Sequence, residues 1–311
     1  MKIINITAII VCISALVYSV EAFDDTSTDK LSEIMKRGSI IIAIAIDYPP
    51  MSDLIKGAKR SENTKCLSNE YTSSEVMGFE IDVAKEVAKR LKVDPCFVSF
   101  EWGEIVSGRW AGRMDIAICS VSITSERMKS LYFAQPYSSE PAVFYVHKNN
   151  TRFKHIADLS GQKIGTCAGC IFEYYLEGTM ELPYESTEYL VKKSDIIAYD
   201  TEINSIKDLS LGDGVKLDAV LIDIFLGRKA LSDGMPIKQL GEPVFYSYVA
   251  PAIDKKQKGN PIPFIKKINE IIMQLHHDGV LNNLSSTYYK IDLDNITPAK
   301  QFDIQSLGQY P

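Results

Sequence analysis

Few residues in this 311-residue chain have the type and setting to do chemistry. Arg127 closes the turn Thr124-Ser125-Glu126-Arg127, which follows an apolar run. Threonine is a favoured helix N-cap, so the sequence predicts a helix opening at Thr124. The unpaired N–H groups of such an end attract an anion. A cation in that first turn opposes the helix dipole, and a residue set against a local preference invites a functional explanation. A guanidinium can hold a carboxylate through two parallel hydrogen bonds, the competing reading being a solvated arginine in an ordinary loop. Asp223 ends the run LDAVLID, where an ionised group is costly unless paired. Its plainer role is an N-cap ahead of Ile224-Phe225, and the two roles can coexist. Asp218, at the start of the same run, reads as structural.

Other reactive residue types gain less from their settings. Cys167-Ala168-Gly169-Cys170 stands at a predicted helix start, the C-x-x-C arrangement that lowers a thiol pKa in thioredoxin-like redox proteins. That chemistry needs an N-terminal βαβ context, whereas this motif lies mid-chain, so a local disulfide is the favoured reading. His147 and His155 are isolated and His276-His277 lie near a helix end, a spacing that suits no metal site. Trp102 and Trp110, eight apart on one predicted helix, read as packing residues, and Tyr174-Tyr175 as helix surface and core. No phosphate-binding loop and no Ser/His/Asp order in a credible context is present, and no cofactor or metal is expected.

The elements that must position these residues alternate. A short helix over 31–37 stops at Gly38, and the apolar run 39–46 reads as a strand buried on both faces. Pro49-Pro50 ends it, and 52–76 is a polar surface loop. An amphipathic helix over 80–91 places Ile81, Ala84, Ala88 and Leu91 on one face. A strand over 95–100, a helix over 102–110 and a strand over 115–122 follow. The pattern restarts with strands at 163–166, 195–199 and 217–222, each followed by a helix, at 171–177, 203–211 and 225–231. A strand over 244–250 and a helix over 264–276, stopped by Gly279, close the chain, and the tail after Asp294 shows no pattern. Strands alternating with helices argue for parallel sheets. Two such units in series, without a close sequence repeat, argue for two lobes.

Composition narrows the classes further. With 34 basic and 40 acidic side chains the net charge is −6 and no basic run occurs, which argues against nucleic-acid binding. Lys2, the short apolar stretch 3–20 and the small residues before Phe23 mark a secretory signal cleaved after Ala22, in preference to a membrane anchor. Cleavage removes Cys12 and leaves Cys66, Cys96, Cys119, Cys167 and Cys170 for an oxidising compartment. Five is odd, so one thiol stays unpaired. Cys119, inside an apolar strand, is the expected buried thiol. Location alone suggests Cys66 with Cys96 and Cys167 with Cys170.

The run 78–137 reads GFEIDVAKEVAKRL, then VDPCFVSFEWGEIVSGRWAGRMDIAICSVSITSERMKSLYFAQPY. Gly78, Phe79, Glu80 and Asp82 fit a GF-(D/E)-x-D helix; Gly112 and Asp115 a G-x-x-D strand; Thr124 and Arg127 a T-x-x-R turn; Phe133, Pro136 and Tyr137 an F-x-x-P-Y segment. In this order the pieces resemble the polar amino-acid family of extracytoplasmic solute-binding proteins, the capture subunits of ABC importers. The resemblance covers most of the chain. It implies a two-lobed type II periplasmic binding fold: signal 1–22, lobe 1 from 23–140 plus 247–295, lobe 2 from 141–246, tail 296–311, with a hinge at two crossings near 139–146 and 241–248. It implies that Arg127 and Thr124 hold an amino acid's α-carboxylate, that the Ser122 backbone meets its α-amino group, and that Asp223 accepts its ammonium. Tyr48 fits the position that stacks on the ligand, against a plain reading as a packed turn tyrosine. The second-lobe turn fits through Gly165, Gly169 and Leu176, but Cys170 and Ile171 replace two hydroxyl residues, so only backbone donation by Gly169-Cys170 is expected there. Family members selective for cationic side chains often carry an acid just upstream of the aromatic; that slot holds Ala45, with Asp47 displaced from it by two, so a strict lysine or arginine binder is not expected. The expectation is a monomeric periplasmic protein that delivers an amino acid or like carboxylate to an inner-membrane ABC permease, and not an enzyme. The alternative is a cyclohexadienyl dehydratase on the same fold, with Glu173 as general acid.

Overall fold

The computed structural model describes residues 29–289 and 301–310. The expected export signal lies outside them.

Helix α1 (Lys30–Arg37) is capped by Asp29, whose carboxylate accepts the Ser32 N–H at 2.9 Å, and it ends at Gly38 in the left-handed conformation. Strand β1 (Ser39–Ile44) is buried along most of its length, as its continuous apolar run requires. Short strands β2 (Asp53–Leu54) and β3 (Val76–Met77) pair across the polar segment. That segment is better ordered than a plain surface loop. The Arg60 guanidinium donates to the carbonyls of Cys66 and Leu67, at 2.9 and 2.6 Å, and a Cys66–Cys96 disulfide ties the loop to the sheet. Helix α2 (Phe79–Leu91) buries the predicted face. Gly78 precedes it at φ 133°, where an added Cβ would sit 2.2 Å from the Met51 carbonyl oxygen. Only glycine satisfies both the dihedral and that approach.

Strand β4 (Asp94–Ser99) leads to α3 (Trp102–Ser107), which is shorter than its periodicity suggests because Gly108, left-handed at φ 61°, ends it. Trp110 therefore lies beyond the helix, fully buried, with its indole N–H on the Ile105 carbonyl at 2.8 Å. Strand β5 (Ile116–Ala117) is also shorter than expected. The fully buried Asp115 before it serves as an ionic anchor: Lys30 Nζ lies 2.8 Å away, Arg37 pairs with it, and the Ile41 N–H donates at 2.8 Å. A buried carboxylate persists only when surrounded in this way. Strands β6 (Leu131–Phe133) and β7 (Ser138–His147) follow.

The second run comprises β8 (Lys163–Cys167), α4 (Ile171–Glu177), β9 (Asp195–Tyr199), α5 (Glu202–Leu209), β10 (Ala219–Asp223) and α6 (Ile224–Ser232), close to the expected bounds. Strand β11 (Ile237–Val249) starts earlier than expected because it pairs along β7 from Ile237. Then come β12 (Ala252–Asp254), α7 (Ile262–His277) and an unanticipated α8 (Val280–Tyr289).

One sheet is ordered β4-β1-β5-β12-β6, with β1 parallel to β4 and β5, and β12 antiparallel to β5 and β6. The other is ordered β11-β7-β10-β8-β9, with β10, β8 and β9 parallel and β7 antiparallel to both β10 and β11. The chain enters the second sheet through β7 and leaves through its neighbour β11, so both crossings run side by side. The fold is the expected α/β arrangement of two mainly parallel sheets flanked by helices. Both suggested disulfides are present, and Cys119 is buried and unpaired.

Candidate ligand-binding cleft

A cavity of about 110 Å³ lies between the carboxyl ends of the two sheets. Residues 45–48 after β1, Cys119, Ser120 and Ser122 after β5, Trp102 and Arg127 form one wall; Cys167, Ala168, residues 170–172 and residues 200–202 contribute to the other. Ligands of open α/β sheets bind at such strand ends. Of the seven expected binding residues, Tyr48, Ser122, Arg127 and Cys170 line the cavity. Thr124, Gly169 and Asp223 are not among its lining residues.

Arg127 is only 5 % exposed. Its Nη1 donates to the Ser122 carbonyl at 3.0 Å, Nη2 lies 3.5 Å from the Gly169 carbonyl, and the guanidinium sits 5.2 Å from the centre of the Trp102 ring. Among the described residues no carboxylate lies within salt-bridge distance of it. Burial pushes its pKa down to about 10, so it stays cationic at neutral pH. Thr124 acts through this arginine: its Oγ1 accepts the Arg127 backbone N–H at 3.2 Å. The helix expected to open there is a single 3₁₀ turn (Arg127–Lys129), because the chain must reach β6 at Leu131. The anion attraction therefore comes from the guanidinium and not from a helix end.

The second-lobe turn is stapled by the Cys167–Cys170 disulfide. Its Gly169 N–H, expected to face a ligand, instead donates to Glu173 Oε2 at 2.6 Å. The same bond occupies the acid considered for a dehydratase. The Gly169 carbonyl reaches across and accepts the Trp102 indole N–H at 3.0 Å. Trp102, read from the sequence as packing, thus joins the two walls.

Asp223 is fully buried and caps α6, its Oδ1 accepting the Phe225 and Leu226 N–H groups at 2.7 and 2.8 Å, while Oδ2 accepts the Tyr48 hydroxyl at 2.8 Å. The buried acid that reaches the cavity from this side is Glu202, at the start of α5, with the exposed Asp200 two residues before it. Glu202 is 8 % exposed, and it lies beside Asp223, whose carboxyl and backbone N–H both bear on its titration. Cys167 Sγ lies 3.4 Å from Oε1, but a disulfide sulfur has no proton to give. Glu140, on β7, stands behind Ser120, whose hydroxyl donates to it at 2.6 Å. The same hydroxyl approaches Glu80 Oε1 at 2.8 Å. Sequence reasoning missed Glu140 and Glu202; the available signals were an acid inside the apolar run 138–146 and an acid opening the helix after β9.

These carboxyls affect one another. Burial, then the charges of Asp223 and Glu140, push Glu202 well up; burial, then Asp223 and Glu80, do the same to Glu140. Asp223 is raised by burial, against the Leu226 N–H and the Tyr48 hydroxyl that hold it down. Burial lifts Glu80 to about 7 despite its bonds from Tyr137 and Ser120. Burial also raises the Cys119 thiol, keeping it protonated.

Two α/β lobes joined by paired strands, with a buried cation and buried acids facing one cleft, define a two-lobed solute-binding protein. The chain belongs to the bacterial extracellular solute-binding proteins, family 3, which matches residues 64–291. The L-cystine-binding protein TcyJ of Escherichia coli (strain K12) is 26 % identical over 279 residues, covering 88 % of this chain and 91 % of that protein. The probable amino-acid-binding protein YxeM of Bacillus subtilis (strain 168) is 26 % identical over 222 residues, covering 71 % and 79 %. The fold is shared with the ancestral amino acid-binding protein AncCDT-1, a precursor of cyclohexadienyl dehydratase, at TM-score 0.65 and 23 % identity over 83 % of this chain and 99 % of that one. It is shared as well with an ancestral arginine-binding protein bound to arginine, at TM-score 0.63 and 23 % identity over 81 % and 98 %. Among the described residues no helix is long and apolar enough to cross a membrane.

Proposed function

We propose that this chain is the periplasmic capture subunit of an ABC importer for an amino acid or a closely related small carboxylate. The observation that carries the reading is Arg127: a guanidinium 5 % exposed, lining the cleft, with no carboxylate of its own protein within salt-bridge distance among the described residues. A buried charge without a counter-ion is costly, and a ligand carboxylate removes that cost. Ser122 and Tyr48 flank the same space, Thr124 holds the Arg127 backbone, and Asp223 acts from behind Tyr48. Gly169 and Cys170 form the opposing jaw, with Gly169 contributing its carbonyl to the cross-cleft contact.

Lobe 1 is taken as 23–140 plus 247–295 and lobe 2 as 141–246; the paired β7 and β11, which carry both crossings, support this division. Because a ligand touches both walls, binding favours the closed state, which an inner-membrane permease would then read. The protein works as an exported monomer after removal of residues 1–22. No chemistry on the ligand is invoked, and the engagement of Glu173 with the Gly169 N–H weakens the dehydratase alternative. The test is a thermal-shift screen over the amino acids, in which a true ligand raises stability by about 2.7 kcal/mol at a hundredfold excess over its dissociation constant. Incubation with prephenate or arogenate checks the alternative: release of an aromatic product would establish the enzyme reading.

A further inference from the structure

Residues 301–310 lie beyond the stretch that the family matches, which ends at residue 291, and none of them lines the cleft cavity. The segment is anchored on the first sheet's unit. Ile304 opens a 3₁₀ turn (Ile304–Leu307) capped by Asp303, and it is buried in the apolar cluster that holds Ala117 of β5, Phe133 of β6 and Ala252 of β12. Gln309 Oε1 accepts the Phe133 N–H at 2.9 Å, and the Gln135 side-chain amide donates to the Phe302 carbonyl. The Phe302 ring points away from these anchors. Its centre lies 5.3 Å from that of Tyr184, edge-on, and 4.5 Å from that of Tyr248 on β11.

Tyr184 belongs to the loop that follows α4. Met180 and Leu182 of that loop are buried in the core of the second sheet, whereas Tyr184 packs against the apolar clusters of both sheets. Two hydrogen bonds cross at the same place. The Ser125 N–H donates to the Glu181 carbonyl at 3.1 Å, and the Tyr248 N–H donates to the Tyr184 hydroxyl at 3.1 Å. Ser125 follows Thr124 in the turn that carries Arg127. Phe302 therefore stands behind the loop that meets the Arg127 turn.

We propose that residues 301–310 form a strap in which Phe302 pins Tyr184, holds the 180–184 loop against the Arg127 turn and so biases the cleft towards closure. This rests on the capture reading above and adds a positioning residue to it. Aromatic pairs in such geometry stabilise beyond the area they bury. The anchors at Ile304, Gln135 and Gln309 all lie on the first sheet's unit, so they persist when the two units part. The contact between Phe302 and Tyr184 crosses to the second unit and is lost then. The strap thus interacts differently with the open and closed states, which is what shifts an equilibrium between them. A cleft already biased towards closure leaves a ligand less of that cost to meet.

The experiment is native-state hydrogen exchange, read residue by residue by NMR, on the full mature chain without ligand, wild type against Phe302→Ala. No ligand is added, so the outcome does not depend on whether the protein captures an amino acid. The expected result is that the Ser125 and Tyr248 amides, protected in wild type, exchange roughly tenfold faster in the variant. The Phe133 amide, bonded to Gln309, and the Gln135 amide, bonded to Asn269 at 2.8 Å, should keep their rates. A merely structural loss in the tail would release those two first. Phe302→Tyr keeps the ring and should restore the wild-type rates. Tyr184→Ala reaches the same contact from the other side, and at Ser125 the double variant should exchange little faster than either single one. Ser125 rates unchanged in both single variants, or rising only together with those of Phe133 and Gln135, overturn the strap.

Discussion

The hydroxyl of Tyr48 lies 2.8 Å from Oδ2 of Asp223, a residue 175 positions away in sequence. The bond joins the end of β1 in one sheet to the end of β10 in the other, beside the cavity that Tyr48 lines. It therefore ties the two sheets together across the mouth of β1 and β10 as well as capping the buried charge.

Removing the hydroxyl tests that role. Tyr48→Phe leaves one oxygen of a fully buried carboxylate without its side-chain donor, at a cost of about 1–3 kcal/mol. The ring remains to cover a ligand. The expected outcome is a folded protein whose ligand affinity falls roughly tenfold by calorimetry. Unchanged affinity would show that the bond is incidental to closure.

Raised buried carboxyls make the ligand-free protein more stable in mild acid. Glu80 titrates near 7 in the folded chain against an ordinary 4.5, so the native state binds the proton more tightly than the unfolded one. Its contribution is complete below 4.5 and is lost as pH climbs through about 7, on the order of 3 kcal/mol in all. Glu140 and Glu202 act in the same direction. Surface carboxylates such as Asp208 and Asp213, held low by Lys216 and Arg152, oppose this only in stronger acid, below their ordinary 3.8. Melting temperatures without ligand should be higher near pH 5.5 than at pH 8; the reverse order would mean these acids ionise freely in the folded state.

The Cys66–Cys96 disulfide closes a loop spanning 30 residues, and neither cysteine lines the cavity. Replacing both cysteines by serine should lower stability by roughly 3 kcal/mol, since the constraint on the unfolded chain is lost. Ligand affinity should stay as in wild type. A large loss of affinity in a folded double variant would place the 52–76 segment in binding.

At Gly78 a methyl group would collide with the Met51 backbone, 2.2 Å away, in a dihedral region hostile to side chains. Gly78→Ala should destabilise the fold by more than about 1 kcal/mol in denaturant melts. A neutral effect would mean that the approach of α2 to Met51 relaxes easily.

Legibility in the sequence followed burial. The helices over 79–91 and 262–277 and the strand over 39–44 carry long periodic or continuous apolar patterns, and each lies within about two residues of its expected bounds. Elements cut short by local geometry were harder to read. Gly108 ends α3 before Trp110, and β5 keeps two residues because Asp115 turns to Lys30 and Arg37. Arg127 could be recognised because its turn carries a motif. Glu202 could not, because its importance arises only when β9 brings the start of α5 opposite Tyr48 and Arg127, a relationship between distant segments that no local pattern encodes. The cap role of Asp223 was legible at the end of its apolar run, but its bond from Tyr48, in place of the ligand ammonium expected there, required the second sheet to be placed against the first.

The central claim is that one buried guanidinium holds the ligand's carboxylate, and the direct measurement is the amino-acid thermal shift of Arg127→Ala beside that of wild type. Truncation removes an uncompensated buried charge, so the ligand-free variant should melt at or above the wild-type temperature. Its shift with the wild-type ligand should vanish at concentrations that stabilise the parent by about 2.7 kcal/mol. A folded Arg127→Ala protein that retains the full shift would contradict the assignment.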